Sequence, residues 1–202
     1  MKYKDIVENH QLSECIIVVS KFNDKIVLAK NRDRMYAPKI KIVHKILNGV
    51  EIAYWEDEET GWLEGLNEFG IGTVNTALRV GFDEKEKEIV KKTGKKSKDS
   101  KKFLKILTSN NIEDAIDFAV NYENGIMGHT FIADAEEEKA VRIEASSKHK
   151  SIIRKIDLDQ ITVRTNHGFE YPEAGYTQGL DFKSSKFRKI GAEKILNRED
   201  KP

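Results

Sequence analysis

The chain has 202 residues, with 35 Lys and Arg against 34 Asp and Glu and a net charge of +1. That length is one domain or two small ones. A charge near zero excludes a chain whose main task is to coat nucleic acid or an anionic membrane, since either needs a net basic surface.

Apolar residues make up 39%, enough for a buried core in a chain this long. No apolar run approaches the ~20 residues that span a bilayer. The opening MKYKDIVENHQLSE has mixed charge, no clean period and no apolar segment of the secretory type. Cys15 is the single cysteine. It can form no intrachain disulfide and no cysteine-rich zinc site, so a reducing, cytoplasmic compartment is expected.

The first strand signal is Cys15–Lys21 (CIIVVSK), β-branched and apolar. Phe22-Asn23-Asp24 reads as a short turn into Lys25–Asn31, a second apolar run. Both strands are apolar at nearly every position, so both faces are expected to be covered. A loop at Met35–Ile40 contains a proline. Lys41–Leu47 and Val50–Trp55 read as a strand pair around Asn48-Gly49, a type I′ turn signal. Glu56–Thr60 is an acidic loop. Gly61–Asn75 (GWLEGLNEFGIGTVN) reads as two short strands around Asn67-Glu68-Phe69-Gly70. Residues 83–102 are nearly all charged, with signs that partly cancel, and read as a solvated helix-loop or connector.

Two helices are expected next, Ser100–Leu107 and Ile112–Tyr122. In the second, Ile112, Ala115, Ile116, Ala119 and Val120 recur at helical spacing, and Asn111 reads as its N-cap. Strands return at His129–Ala135, Ala140–Ser146, Ser151–Ile156 and Ile161–Asn166. A loop rich in Gly and Tyr covers His167–Gly179, and a last helix runs from about Ser184 to Leu196. Hairpins, helices, hairpins and a helix make an α+β fold of antiparallel sheets. Helices between blocks of apolar strands suggest sheets packed on each other with helices outside.

The first hairpin also suggests chemistry. With the turn centred on Asn23, residue i lies opposite residue 46−i, and Cys15 faces Asn31. Arg32 and Asp33 then leave the second strand beside the start of the first. A cation next to a thiol favours the thiolate. A carboxylate there can hold an ammonium or orient the arginine. An ordinary Arg–Asp pair beside a buried thiol is the alternative from spacing alone.

CIIVVSKFNDKIVLAKNRDRMYAP resembles the opening of the NRDE family, named for Asn-Arg-Asp-Glu after a leading Cys strand. Asn31, Arg32 and Asp33 match, and Arg34 stands where that family has Glu. Gly61–Asn75 is similar to that family's next segment. GHTFIADAEEEKAVRIEAS, VRTNHG (Val163–Gly168) and SSKFR (Ser184–Arg188) resemble the isopenicillin-N acyltransferase family. Choloylglycine hydrolases share the layout more loosely. All are N-terminal-nucleophile (Ntn) hydrolases or their relatives, and the resemblance covers about residues 15–196. It implies a four-layer αββα sandwich of antiparallel sheets, as a single domain over 15–202.

The resemblance also implies roles. Cys15 matches the nucleophile, whose own α-amine, with a pKa of ~7.7–8.0, serves as base. Arg32 or Lys30 would stand near the thiolate. Asp33 matches the carboxylate that orients the α-amine, and Asn75 the amide that donates to the oxyanion. Asn166 matches an Asn that positions the α-amine and substrate. Arg188 matches an Arg on the final helix that closes the charge network. His167 reads as a strand-end surface residue rather than a base, and His129 as structural. No cofactor is implied. The histidines at 10, 44, 129, 149 and 167 show no metal-ligand spacing, and Asp134 and Glu144 read as sheet and turn residues.

An amine on Cys15 requires that the preceding residues be removed. Residues 1–14 are therefore a candidate propeptide, released by self-cleavage of Glu14–Cys15, although Gly is commoner than Glu before the nucleophile in such relatives. The expected function is a cysteine Ntn hydrolase or acyltransferase acting on a linear, non-peptide amide through an acyl thioester. Its partner is a small-molecule amide or acyl substrate, with no nucleic acid and no membrane. The pocket would form from the hairpin end, Met35–Ile40, Glu56–Thr60 and Tyr171–Tyr176, with Phe169, Tyr171 and Tyr176 as apolar lining or core edge. The relatives continue past the last helix, so either one sheet is smaller here or a partner copy in a homo-oligomer supplies the missing edge. The alternative from the NRDE side is a non-catalytic protein that handles haem or lipid on the same fold.

Overall fold

A computed structural model describes residues 14–33, 37–58, 60–78, 99–146, 149–172 and 183–197. The candidate propeptide up to Ser13, the charged stretch up to residue 98, and Met35 and Tyr176 of the expected pocket lie outside the described residues.

The first hairpin pairs β1 (Glu14–Phe22) with β2 (Lys25–Asp33). Asn23 and Asp24 alone make the turn, with φ of 47° and 58°. Two left-handed residues in succession are the type I′ turn that matches strand twist, and Asn and Asp tolerate that conformation. Phe22 therefore belongs to the strand and pairs with Lys25. This corrects the expected register by one residue: Cys15 lies opposite Arg32, and Ile16 opposite Asn31. Because side chains alternate between faces, Asn31 is on the outer face and Arg32 on the thiol's face.

The hairpin belongs to a three-stranded antiparallel sheet in the order β10-β1-β2, where β10 is Thr162–Arg164. The other sheet has seven antiparallel strands in chain order. They are β3 (Ile40–Leu47), β4 (Val50–Asp57), β5 (Trp62–Asn67), β6 (Ile71–Thr76), β7 (Gly128–Asp134), β8 (Lys139–Ser146) and β9 (His149–Lys155). Three helices complete the described fold: α1 (Asp99–Ile106), α2 (Ile112–Asn121) and α3 (Lys183–Leu196). Asn111 caps α2 as expected, its side chain accepting from Asp114 N.

Alternation along the strands sorts the core into two layers. Val50, Ile52 and Tyr54 of β4, with Leu63, Ile71, Ile132 and Ile143, pack against Phe103, Ile106, Leu107, Ile112 and Ala115 of the α1–α2 segment. On the other side of the large sheet, Val74, Phe131, Ala133 and Ala140 meet Ile17 and Val19, with Ile26 and Leu28 beside them. Helix α3 lies against β10 and β1. The layers run helices, large sheet, small sheet, helix, which is the expected αββα sandwich.

Full coverage of both hairpin faces is not what forms. Cys15, Ile17 and Val19 are buried, but on the outer face Val27 is 41% exposed, as is Phe22 at the turn, at 60%. The small sheet has one helix on that side among the described residues, and it packs mainly on β10 and β1.

The contact between the sheets positions the Cys15 strand, and Phe131 is fully buried within it. Phe131→Ala is expected to cost about 3–5 kcal/mol, the usual loss for a buried phenylalanine. Urea unfolding should show a lower midpoint with an unchanged slope.

Candidate active site

In a hairpin closed by a two-residue turn, the pair flanking the turn exchanges two hydrogen bonds, and so does every second pair after it. The even-numbered residues of β1 therefore bond to β2. The odd-numbered ones, Lys21, Val19, Ile17 and Cys15, turn their N–H and C=O the other way. Lys21 N donates to Leu158 O at 2.9 Å, and the Ile17–Val19 segment pairs with β10. That pairing stops at Arg164, opposite Ile17. The main chain of Cys15 would be left without a ladder partner, a costly vacancy for a residue 3% exposed.

Two side chains fill the vacancy. Asn166 Oδ1 accepts from Cys15 N at 2.9 Å. Arg188 Nη1 donates to Cys15 O at 2.5 Å, and its Nη2 donates to Asn166 Oδ1 at 3.1 Å. Asn166 is itself fixed: its Nδ2 donates to Thr76 Oγ1 (2.9 Å) and Ala77 O (2.8 Å), and its backbone N donates to Ser185 Oγ (2.8 Å). One asparagine thus ties β1, the end of β6 and the first turn of α3 together.

The thiol side of Cys15 faces the interior between the sheets, where Arg32, Lys30 and Glu64 lie. Arg32 lies directly across the hairpin, its Cζ 4.9 Å from the Trp62 ring centre and 5.8 Å from that of Trp55. Lys30, one step further along the same face, donates to Glu64 Oε1 and to Asn75 O. Both ends of the Lys30–Glu64 pair are buried, at 2% and 0% exposure. Burial pulls the Lys30 pKa below its ordinary value, Glu64 opposes that shift, and Arg32 adds to it. Cys15 is within electrostatic reach of Lys30. Glu64 Oε1 also accepts from Trp62 Nε1 (3.1 Å) and Asn75 N (3.0 Å), while its Oε2 is buried with no hydrogen-bond partner.

A second network holds the loop that carries Asn166. His167 Nδ1 lies 2.8 Å from Ser185 Oγ and 3.1 Å from Thr165 Oγ1. His129 Nε2 donates to His167 O at 2.9 Å, and His129 Nδ1 lies 3.5 Å from Glu144 Oε2. The Glu144 carboxylate, fully buried, accepts the successive backbone N–H groups of Phe169, Glu170 and Tyr171. Three converging donors satisfy a charge that would otherwise be costly to bury.

Of the residues expected at a site, the structure brings Cys15, Arg32, Asn166 and Arg188 together. Asp33 ends β2 opposite Glu14; its side chain lies outside the described set. Asn75 is arranged differently. It pairs with Thr130, on the face turned toward the helices, and its Nδ2 donates to Thr130 Oγ1 (2.7 Å) and Met127 O (3.3 Å). Its carbonyl, not its amide, reaches Lys30. Gly128 makes this approach close: at φ +111°, a Cβ there would stand 2.4 Å from Thr76 O and 3.4 Å from Asn75 Nδ2.

The expectation that His167 lies on the surface is corrected. It is 8% exposed, because Ser185 and Thr165 give its ring a polar niche under α3. His129 is buried and donates to His167 O. Sequence reasoning missed Glu64, Thr76 and Ser185. Glu64 had one signal: it is an acid between Trp62 and Leu66 on an otherwise apolar strand face. Ser185 lay in the SSKFR segment without a role. Among the described residues, no cluster of His, Cys, Asp and Glu could hold a metal ion, and no helix is long and apolar enough to cross a membrane.

No protein-family model matches the chain, and no curated protein matches it. Among solved structures it is similar to the Caenorhabditis elegans N-acylethanolamine-hydrolyzing acid amidase (NAAA) ortholog. The identity is 15% and the TM-score 0.62, over 92% of this chain and 81% of that one. At that identity the likeness concerns the fold.

Burial pushes His129 down to about 4 against the opposing pull of Glu144, and burial with the nearby Lys186, Lys189 and Arg164 pushes His167 down to about 4. Both are therefore neutral in the folded chain near pH 7. In the unfolded chain they take protons near pH 6.5. Between those values the unfolded state binds more protons, so stability falls as pH drops from about 6.5 toward 4. For His129 the loss is about 2 kcal/mol by pH 5, or roughly 4–8 °C in melting temperature. Thermal melts from pH 7.5 to 4.5 should show this decline, and His129→Gln should flatten it.

Proposed function

We propose that the chain is a cysteine amidase of the N-terminal-nucleophile type, acting on a linear, non-peptide amide through an acyl thioester on Cys15. The observation that carries this reading is the convergence of Asn166 and Arg188 on the main chain of one residue, which also holds the chain's single thiol. A structural cysteine needs no such arrangement. A residue whose nitrogen acts as base does, because that nitrogen must be aimed at its own thiol side.

In this reading the thiol first attacks the carbonyl of Glu14. The acyl group moves from nitrogen to sulfur, and water hydrolyses the thioester to leave a Glu14 carboxylate and a free Cys15 amine. Asn166 Oδ1 then accepts from the amine as it did from the amide. For substrate, the amine takes the thiol proton, sulfur bonds to the carbonyl carbon, and the C–N bond breaks as the leaving amine receives the proton. Water, or a second amine in an acyl transfer, releases the acyl group. Arg32 and Lys30 supply positive charge on the thiol's face. Asn75 donates to the oxyanion only if its amide leaves Met127 O or Thr130 Oγ1, so Arg32 is the nearer candidate for that charge.

The similar worm protein is named for hydrolysing N-acylethanolamines, which makes an acyl amide of a small amine the first substrate to test. Its preference for acid is not carried over. The two buried neutral histidines beside Asn166 argue for an assay near pH 7.5.

Intact-mass and N-terminal analysis of the purified chain is expected to find Cys15 as the first residue; a persistent full-length species would sink self-activation. An N-acylethanolamine or an acyl electrophile should add one acyl mass to Cys15, absent in Cys15→Ala. Asn166→Ala should slow acylation about 100-fold, the usual effect of misplacing a reacting group. The haem- or lipid-handling alternative predicts instead a Soret band on haem titration and no acyl-enzyme.

A further inference from the structure

In the proposed reading, cleavage of Glu14–Cys15 needs a base that substrate turnover does not. While Glu14 is attached, the Cys15 nitrogen is an amide, with its lone pair delocalised into the Glu14 carbonyl. Its N–H is given to Asn166 Oδ1. It cannot take the thiol proton, so another group must.

The ladder places the bond to be cut. Glu14 faces Asp33 and is an even residue of β1, so Glu14 O accepts from Asp33 N. The carbonyl therefore lies in the plane of the small sheet. One of its two faces is turned to the side from which the Cys15 side chain projects. Sulfur attacks from that side, and the base has to stand there too.

Beside the thiol stand Arg32, Lys30 and Glu64. Arg32 keeps its proton at any working pH. Lys30 is two residues from Arg32 along β2, which makes it the diagonal neighbour of Cys15, at a separation of about 7–8 Å that a long side chain spans. Its side chain is 2% exposed, so water does not compete for the proton there. An ammonium has three N–H groups. Two are committed, because Nζ donates to Glu64 Oε1 and to Asn75 O. Both bonds survive loss of the third proton, so a neutral Lys30 stays in place with its lone pair in the remaining direction. Burial favours that neutral form and Arg32 adds to it, while Glu64 and a Cys15 thiolate oppose it. Glu64 Oε2, buried without a hydrogen-bond partner, is the rival acceptor. It belongs to the facing sheet, whereas Lys30 shares the hairpin and the register of Cys15.

We propose, on the cysteine-amidase reading above, that Lys30 is the base of self-cleavage: its Nζ takes the Cys15 thiol proton in the chain that still carries residues 1–14. Sulfur bonds to the Glu14 carbonyl carbon, and the carbonyl electron pair moves to oxygen, where Asp33 N–H remains its donor. The C–N bond breaks as the carbonyl re-forms. The Cys15 nitrogen, no longer conjugated, takes the proton back from the Lys30 ammonium. Water hydrolyses the thioester, leaving a Glu14 carboxyl group, the thiol and a free Cys15 amine. From then on that amine is the base for substrate.

The test uses the full chain, kept unfolded in urea and diluted into buffers from about pH 5.5 to 9.5, with release of residues 1–14 followed by intact mass. Lys30→Arg keeps the positive charge and cannot give up a proton; Lys30→Met keeps the length and has no charge. Both should cleave about 100-fold more slowly near pH 7.5, the lower end of a general base's contribution. Both should share the circular dichroism of Cys15→Ala, which cannot cleave. Glu64→Gln should still cleave, and its rate should rise at lower pH than the wild type's, because Glu64 helps Lys30 hold its proton. A purely structural role for Lys30 would move no such midpoint. Lys30→Arg cleaving at the wild-type rate, or a Glu64→Gln midpoint at or above the wild type's, would overturn the role of Lys30 and leave self-activation standing. So would a block by Glu64→Gln that Lys30→Met does not share, which would assign the proton to Glu64. A wild-type chain intact at every pH would remove self-cleavage itself, and its base with it.

Discussion

The parity of one hairpin constrains the rest of the site. Asn23 and Asp24 close β1 and β2 with two left-handed residues, and that turn decides which residues of β1 bond to β2. Cys15 falls among those that do not. Its side chain faces the interior between the sheets, while its N–H and C=O face the edge where β10 has already ended. A turn longer by one residue would exchange these assignments. The thiol would then leave Arg32 and Lys30, and the main chain would lose Asn166 and Arg188.

The charges about Cys15 follow from where the two sheets meet. Lys30 and Arg32 come from the small sheet and Glu64 from the large one. The Lys30–Glu64 pair is buried in a poorly hydrated space, with Arg32 beside it. That arrangement costs stability, as the depressed Lys30 pKa records, because the Coulomb gain of a buried pair seldom exceeds its desolvation. Trp55 and Trp62 offset part of that cost by offering ring faces to both cations. In the proposed reading, the cations on this face favour a developing thiolate or oxyanion.

Most elements were legible in the sequence because each carries a local signal. Alternation marks β8, Asn48-Gly49 marks a hairpin, and Asn111 marks the start of α2. The register of the first hairpin was not, because Phe22-Asn23-Asp24 fits a two- or three-residue turn and only the φ values distinguish them. Cys15, Asn166 and Arg188 could be singled out by resemblance, but their meeting is a long-range event across 151 and 173 residues. Glu64 and Ser185 stayed hidden for a related reason. A buried acid or hydroxyl is meaningful only with its partner, and Lys30 and Asn166 lie far away in sequence. Asn75 shows the converse. Its place at the end of a strand was readable, but which face its amide takes depends on pairing with Thr130.

Cys15 therefore joins two parts of the protein. Its sulfur belongs to the layer between the sheets, where Arg32, Lys30 and Glu64 set the field. Its nitrogen belongs to the β10 edge, where Asn166 is held by Thr76, Ser185 and Arg188, and where Glu144 and the two neutral histidines hold the loop behind it. In the proposed reading, nucleophile and base on one residue need both environments at once: positive charge near sulfur and an acceptor that orients nitrogen. A strand end supplies this more directly than a helix or loop would. Alternation sends the side chain into one layer, and ladder parity turns the main chain toward another.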